Sequence, residues 1–583
     1  MAVHRPWSIL PHGLAVAALI YLVLRAALLA TRFDEVCNPA YELTMVGNLA
    51  HAVSAGQGVL PLSAYYDNCG GHLVSGLLAA PLYLLLGDSY LVLKLVPLLQ
   101  GLLTLILAWA IVAPRAGRGA ATLACAAFAL GPPLLTRLSV MAMGNHFESL
   151  LPMFACYLAW LRLRERGGRA NALVFGLFAG LAVFLYLGSL LWLAVLAAVH
   201  VHASGARKAA HDLARMAPGA LVGLLPLAWL VREVGGRIAR FFAYNLGVEA
   251  RPGPLDALRR AWDLAVHVLP TSGMYPDLGP LPGALAEACL VGSCALSWLI
   301  VARASMGGEP TRARTLPLVI YPPLLVLVLA ASRFDIEPMQ GIEHAATHRY
   351  LASYFGLFAL TLGFGYGELV RARRPRMAAA LAGLVLATAP FALALALPPA
   401  SRGPAGRDLR GWSGEHLARL LLRDVRSAPE DGRPTWDFEE VARRVVALPE
   451  EERANVAFGF GYALGLLDPR DPFTPVEPIA SALPEALAEH AAEGVGAFLR
   501  EAHHAGHLDS ADLRRYLEQQ LRLRPRAACA AVRGLSREIT PAVGPRSPPA
   551  QLQARALEDA VPEVLREEWA RGLARAALAP ETR

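Results

Sequence analysis

The chain is built from apolar runs of roughly 17 to 25 residues, the length that carries a helix across the hydrocarbon core of a bilayer. The first covers residues 14–30, and ten more follow at about 90–112, 120–136, 147–163, 172–187, 188–201, 216–231, 284–301, 316–331, 350–369 and 377–397. The prediction is an all-α, polytopic membrane protein with about 11 transmembrane helices, because a helix satisfies its own backbone hydrogen bonds in lipid. Composition agrees, with 55% hydrophobic residues, 17% charged residues and a mean hydropathy of +0.41.

Charge sets the expected orientation. The net charge of +7 comes largely from Arg in short links, so it points to membrane topology and offers no case for nucleic acid. Basic links occur at Arg115/Arg118, Arg162/Arg164/Arg166/Arg169, Arg207/Lys208/Arg215, Arg303/Arg312/Arg314 and Arg371/Arg373/Arg374/Arg376. All five share the cytoplasmic side with the N-terminus only when one shorter run, 73–86 with Pro81 inside it, does not cross. That run is expected as an interfacial or re-entrant helix on the outer face. His4 and Arg5 precede the first run, which reads as an uncleaved anchor because it contains Arg25 and no small-x-small site follows. Arg25 lies near the outer end of this helix, where snorkelling to the interface is the default.

The outer face then receives residues 31–89, 137–146, 235–283 and 332–349, together with everything after Pro398. The third piece carries Arg237, Arg240, Arg251, Arg259 and Arg260, either to meet an anionic substrate or as a solvated charged helix. Cys37 and Cys69 share the first outer loop and would be able to form a disulfide in an oxidising compartment. No zinc or redox motif exists among the seven cysteines, and Cys125, Cys156, Cys289 and Cys294 read as small buried thiols.

After Pro398-Pro399 the composition becomes charged and Ala-rich, which divides the chain into a membrane module, 1–398, and an extracytoplasmic domain, 399–583. The second part holds a repeat, in which Pro-Glu, eight further residues and then Gly occur at Pro449-Glu450…Gly459, Pro484-Glu485…Gly494 and Pro562-Glu563…Gly572. An apolar residue and then a small one follow each glycine (Phe460-Gly461, Val495-Gly496, Leu573-Ala574), and Pro525…Gly534 is a weaker copy. Proline at a helix start and glycine where a neighbour packs closely suit stacked helical hairpins, so this domain is expected to be a helical-repeat adaptor for a protein partner. His503, His504 and His507 are read as a solvated helix face rather than a metal cluster.

Ionisable residues that converge at one membrane face are the functional pointers in such a chain, since burying them in lipid is costly. The first outer loop supplies the adjacent carboxylates Asp34 and Glu35, then Tyr41, Glu42, Tyr65, Tyr66, Asp67 and His72. The second link supplies Arg137 and the run Asn145-His146-Phe147-Glu148. The last outer link supplies Asp335, Glu337, Glu343, His344, His348, Arg349 and Tyr350.

This layout resembles the GT-C superfamily of glycosyltransferases, most closely the protein O-mannosyltransferases and the aminoarabinose transferase of lipid A. The features that carry the likeness are an acidic pair after the first helix, a long first outer loop with a membrane-proximal helix, a second link with Arg and then an acid, and Arg-Tyr opening a late helix. The likeness covers about residues 6–397 and leaves the tail unassigned. It implies inverting transfer of a sugar from a polyprenyl-phosphate carrier to a lipid, glycan or protein acceptor, at the outer face of a bacterial inner membrane. By the same resemblance Asp34, with Glu35 beside it, would be the base or orient the acceptor hydroxyl. Glu148 would be the second catalytic acid, with Arg137, Asn145, His146, His348 and Tyr350 around the substrate and Arg349 on its phosphate. Tyr66 offers either a sugar platform or interface packing.

Two features depart from the family pattern. The second link carries Asn145-His146 where an Asp is common, and Cys69-Gly70-Gly71-His72 stands where paired prolines usually open the membrane-proximal helix. His146 and Glu148 are donors suited to a divalent cation, but they lack a third, so a metal is left open. A lipid or small-solute transporter and a non-catalytic assembly protein with the same fold are the rival readings. Inverted repeats would favour the transporter, and none is visible.

Overall fold

The structure is a computed structural model of the 583-residue chain. It describes residues 12–31, 36, 42–56, 70–234, 253–271, 280–332, 348–396, 418, 426–427, 435–448, 450–465, 472–474, 476–504, 510–536, 557–558 and 560–571. The chain divides into two compact units: Met1–Asn38, Tyr66–Leu78 and Lys94–Ser401 form the first, and Pro39–Tyr65, Ala79–Leu93 and Arg402–Arg583 form the second.

The first unit is helical. Its main described helices are α1 (His12–Thr31), α2 (Gly71–Leu86, which runs on into the second unit), α3 (Leu95–Ala116), α4 (Arg118–Leu130), α5 (Pro133–Leu138), α6 (Leu150–Arg166), α7 (Arg169–Leu185), α8 (Ser189–Ser204), α9 (Ala206–Val234), α10 (Pro254–Asp263), α11 (Pro280–Ser305), α12 (Glu309–Ala330), α13 (Ala352–Arg371) and α14 (Pro375–Leu386), with a shorter helix at Ala389–Ala396. Among the described residues six helices are long and apolar enough to cross a membrane: His12–Thr31, Tyr90–Ala116, Ala206–Arg232, Leu281–Ser305, Thr311–Ala330 and Pro375–Ala394. Shorter apolar helices are Gly71–Leu86, Arg118–Leu130, Arg169–Leu185 and Ser189–Ser204.

The run 120–136 is not one span. Gly131, at φ 34°, and the pair Pro132-Pro133 break it into α4, of 13 residues, and α5, of six. Proline has no N–H to continue the ladder, so α4 rises only about 20 Å. The same break explains Arg25, which does not snorkel. Its side chain is fully buried, Nε donates to Ser139 Oγ at 3.0 Å, and Nη1 donates to the Ala129 carbonyl. In an unbroken helix that carbonyl would take the N–H four residues on, but Pro133 stands there and offers none. The guanidinium supplies the missing donor and also lies 4.2 Å over the Tyr21 ring.

Aromatic side chains fill the centre of this unit. Phe128 stacks on Tyr21 and meets Phe147 and Phe154, while Tyr157, Trp192 and Tyr321 make a second edge-to-face chain.

The five basic links gather at one end. Arg115, closing α3, grips Glu165 near the end of α6 through two bonds of 2.7 and 2.8 Å. Arg314 Nε lies 3.8 Å from the same carboxylate, Arg371 donates to the Arg115 carbonyl at 3.2 Å, and Arg164 donates to Ser204 Oγ at 2.9 Å, where the link after α8 begins. The Arg115–Glu165 pair thus joins the first two links, Arg314 and Arg371 tie two more directly to it, and Arg164 brings in the fifth.

In the second unit, the Glu42 carboxylate is buried and accepts from Tyr90 Oη at 2.6 Å, and His51 pairs with Asp88. Its C-terminal part contains α15 (Phe438–Ala447), α16 (Glu450–Gly465), α17 (Glu485–His504), α18 (Ser510–Leu523) and α19 (Pro525–Ser536), with a two-residue antiparallel pairing of Arg426–Ser427 on Thr435–Trp436. Asp437 caps α15 by accepting from the Glu440 N–H at 3.0 Å.

Glycine sets how closely α16, α17 and α19 approach. A Cβ on Gly494 would lie 1.9 Å from the Phe458 carbonyl of α16, and one on Gly496 would lie 1.8 Å from the Ala531 carbonyl of α19. Gly461 and Gly534 return these contacts from α16 and α19. Phe460, Val495 and Leu535, each following a glycine, are fully buried in the shared core. Arg533 ties the layers together, bonding Glu489 and Glu493 of α17 at 3.1 Å each and Glu568 at 3.2 Å. His503, instead of facing water alone, pairs with Ser510 Oγ at 3.0 Å.

Candidate functional site

The helix break after α4 creates the site. Residues 131–150 are buried throughout, and between α5 and α6 they form no regular helix. A buried irregular backbone must find partners for its polar groups, and here side chains of the same segment provide them. Glu148 Oε1 accepts from the Gly144 N–H at 2.7 Å, Asn145 Oδ1 accepts from the His146 N–H at 2.7 Å, and Ser149 Oγ donates to the His146 carbonyl at 2.8 Å. Glu148 and Asn145 therefore hold the loop in shape, and the loop in turn fixes the Glu148 carboxylate.

Gly144 has a φ of 72° and touches the start of α2. A Cβ on Gly71 would lie 1.4 Å from the Gly144 carbonyl oxygen, and a Cβ on Gly144 would lie 2.5 Å from the His72 nitrogen. Gly70 donates to the Phe184 carbonyl at the end of α7, at 2.8 Å. The Gly70-Gly71 pair that departs from the family pattern thus has a physical role, because only backbones without Cβ atoms pack this closely. It places His72, which is fully buried, beside the loop.

His146 is the hub. Its Nε2 accepts from Arg349 Nε at 3.1 Å, and its ring meets Tyr186 and Tyr350 edge-on with centroids 4.9 and 4.7 Å away. The Arg349 guanidinium lies 5.0 Å over the Tyr350 ring, and its Nη2 reaches Tyr350 Oη at 3.3 Å. Burial, with the Arg349 and His72 charges added, holds His146 well below the ordinary imidazole pKa. The ring is then neutral, and since Nε2 accepts from Arg349 its proton sits on Nδ1. Nδ1 meets no hydrogen-bond partner among the described residues. A buried N–H donor beside a guanidinium and two tyrosines makes a cluster chemically suited to an anionic oxygen.

Of the residues expected at the site, the fold joins His146, Arg349 and Tyr350 directly and sets Asn145 and Glu148 in the same loop. Arg137, in α5, and His348 are buried in the same unit. Asp34, Glu35 and Tyr66 lie outside the described residues, as do Tyr41, Tyr65, Asp67, Cys37, Cys69, Arg237, Arg240, Arg251, Asp335, Glu337, Glu343, His344 and His507. Among the described residues no three His, Cys, Asp or Glu side chains form a metal-binding group.

Two further residues went unread in the sequence. Tyr186, in extended conformation just after α7, had no local signal distinguishing it from the apolar run around it. Lys94 did have one, as the lone charge inside the run 90–112; it is fully buried, and its Nζ donates at 3.1 Å to the carbonyl of Val36, next to the Asp34-Glu35 pair in sequence.

No family model matches the chain, and no curated protein matches it. Solved structures do match. The ArnT of Cupriavidus metallidurans in the apo state is 15% identical over 84% of this chain and 78% of that one, with a TM-score of 0.41. The same protein bound to undecaprenyl phosphate is 14% identical over 94% and 88%, with a TM-score of 0.42. The apo oligosaccharyltransferase of Archaeoglobus fulgidus is 16% identical over 74% of this chain and 59% of that one, with a TM-score of 0.39. Both kinds of protein belong to the GT-C superfamily.

Proposed function

We propose that this protein is an integral-membrane glycosyltransferase, moving a sugar from a polyprenyl-phosphate carrier to an acceptor at the membrane face where His146 and Arg349 meet. The observation that carries the reading is that pairing, made between residues 203 positions apart, at the end of α6 opposite the basic Arg115–Glu165 end. The α6 helix has 17 residues and so separates the two ends by about 25 Å. With the basic end cytoplasmic, the site faces outward, and the membrane is the inner membrane of a bacterium.

In this reading Arg349 binds the carrier phosphate as a planar, permanently charged donor, with the His146 N–H and the two tyrosines ordering the sugar phosphate beside it. Asp34 takes the proton of the acceptor hydroxyl. The new bond forms between that oxygen and the anomeric carbon, on the face opposite the bond to phosphate. The latter breaks and leaves its electron pair on the polyprenyl phosphate, whose developing charge Arg349 offsets. Glu148, fixed by the Gly144 N–H, sets the acidic side of the site.

The test is incubation of the purified protein with a panel of radiolabelled polyprenyl-phosphate sugars and membrane extract as acceptor source. Label should leave the carrier with wild-type protein, and Asp34→Asn should abolish this while leaving expression intact. Undiminished transfer by that variant would remove Asp34 from the mechanism, and label that crosses vesicles without leaving its carrier would establish a flippase instead.

A further inference from the structure

Helix α10 lies between the two candidate spans Ala206–Arg232 and Leu281–Ser305 and has an unusual surface. Leu255, Leu258 and Trp262 are 81%, 61% and 65% exposed. At 3.6 residues per turn these three fall within about 60° of one another, so they form one apolar stripe. The stripe continues through Val266 in the π-helical turn Leu264–Val268 that follows.

The opposite side of the helix is the one that is held. Leu264 and Val268 are buried, and Arg260 Nη1 donates to the Ser332 carbonyl at 2.7 Å. Ser332 follows the last turn of α12, so this bond fixes α10 at the level where a candidate span ends. Leu327 and Val328 on that last turn are themselves 50% and 43% exposed, so the neighbourhood also turns apolar side chains outward. Asp256, Arg259 and Asp263 border the stripe and are charge-mixed, the flank expected of a helix whose polar edge meets headgroups. A tryptophan among leucines at the end of a span is the interfacial arrangement.

We infer that α10 is an interfacial helix that embeds Leu255, Leu258 and Trp262 among phospholipid acyl chains just below the headgroups, at the membrane face of the His146–Arg349 site. Arg314, near the start of α12, lies 3.8 Å from Glu165 at the basic end of α6, and Ser332 is 18 residues further on, about 27 Å and close to the length of α6, so α10 and the site share the opposite face. The basic loop around Arg259 and Arg260 is thereby assigned to the bilayer, with Arg260 as its anchor to the protein.

The full-length protein would be reconstituted into vesicles of phosphatidylcholine and phosphatidylglycerol containing lipid brominated either near the carboxyl end or near the methyl end of the chain. The chain has ten tryptophans, so the Trp262 component is taken as the difference between wild type and Trp262→Phe. The expected result is loss of most of that component with shallow bromine, little loss with deep bromine, and little loss with aqueous iodide. Quenching by iodide and not by bromolipid would overturn the inference by placing the stripe in water. Protection from both would overturn it by showing that protein covers the stripe. Leu258→Glu should move Trp262 toward iodide without altering the thermal unfolding of the protein. Unchanged quenching in this variant would also overturn the inference. None of these readouts depends on sugar transfer, so their failure is distinct from failure of the proposed activity.

Discussion

Replacing Gly71 by Ala probes the contact on which the site depends. The added Cβ would sit 1.4 Å from the Gly144 carbonyl oxygen, and that oxygen is backbone, so no side-chain rotation relieves the overlap. Carbon and carbonyl oxygen rest at about 3.3 Å, so α2 and the loop must separate by about 2 Å. Overpacking of this kind costs about 1–3 kcal/mol. The displaced loop carries His146 and Glu148, and misplacing reactive groups by about 1 Å can cost ~100-fold in rate. Gly71→Ala is therefore expected to lower the unfolding temperature by a few degrees and transfer by ~100-fold. Gly383→Ala is the control. Nothing lies within 4 Å of its added Cβ and it sits inside α14, so it should be neutral or stabilising by about 0.5–1 kcal/mol. Differential scanning fluorimetry in detergent and the labelled-carrier assay measure both. A Gly71→Ala protein that melts and turns over like wild type would refute the argument that this close approach shapes the site.

Other expectations follow from the same geometry. His146 is held neutral when folded, whereas in the unfolded chain it titrates near pH 6.5; the folded state should lose stability as pH falls below about 6.5, because only the unfolded chain then takes the proton. His146→Gln should flatten that dependence, and melting curves on the acid side of neutrality that match wild type would count against it. Arg349→Lys keeps the charge but loses the planar fork, so transfer should fall ~10- to 100-fold with little change in unfolding temperature; equal rates would remove the guanidinium from phosphate binding. Arg533→Gln removes the guanidinium shared by Glu489, Glu493 and Glu568, of which Glu568 keeps Arg571 at 3.0 Å, and should destabilise the C-terminal helices by about 1 kcal/mol, read as earlier proteolysis of that region on heating.

The departures from sequence expectation have identifiable causes. A hydropathy window sees the run 120–136 as one apolar segment, since Gly131-Pro132-Pro133 is short and not charged, yet those three residues stop α4 and open the loop that makes the site. Snorkelling was the expectation for Arg25 because sequence says nothing of the Ala129 carbonyl that Pro133 leaves without a partner. Tyr186 looked like part of an apolar run because it is one, until the end of α7 turns it toward His146.

What the sequence determined by itself is local. Apolar runs are helical in lipid because each helix satisfies its own backbone, and the Arg residues between them mark which ends belong together; both are readable within a few dozen residues. His146, Glu148, Arg349 and Tyr350 were readable as candidates, as polar groups placed where spans end. Tertiary structure alone decided that Arg349 and not a carboxylate meets His146, that Gly71 and Gly144 touch, and that Arg25 is buried. Each of these depends on backbones far apart in the chain packing to within a few ångströms, and no periodicity or composition encodes that distance.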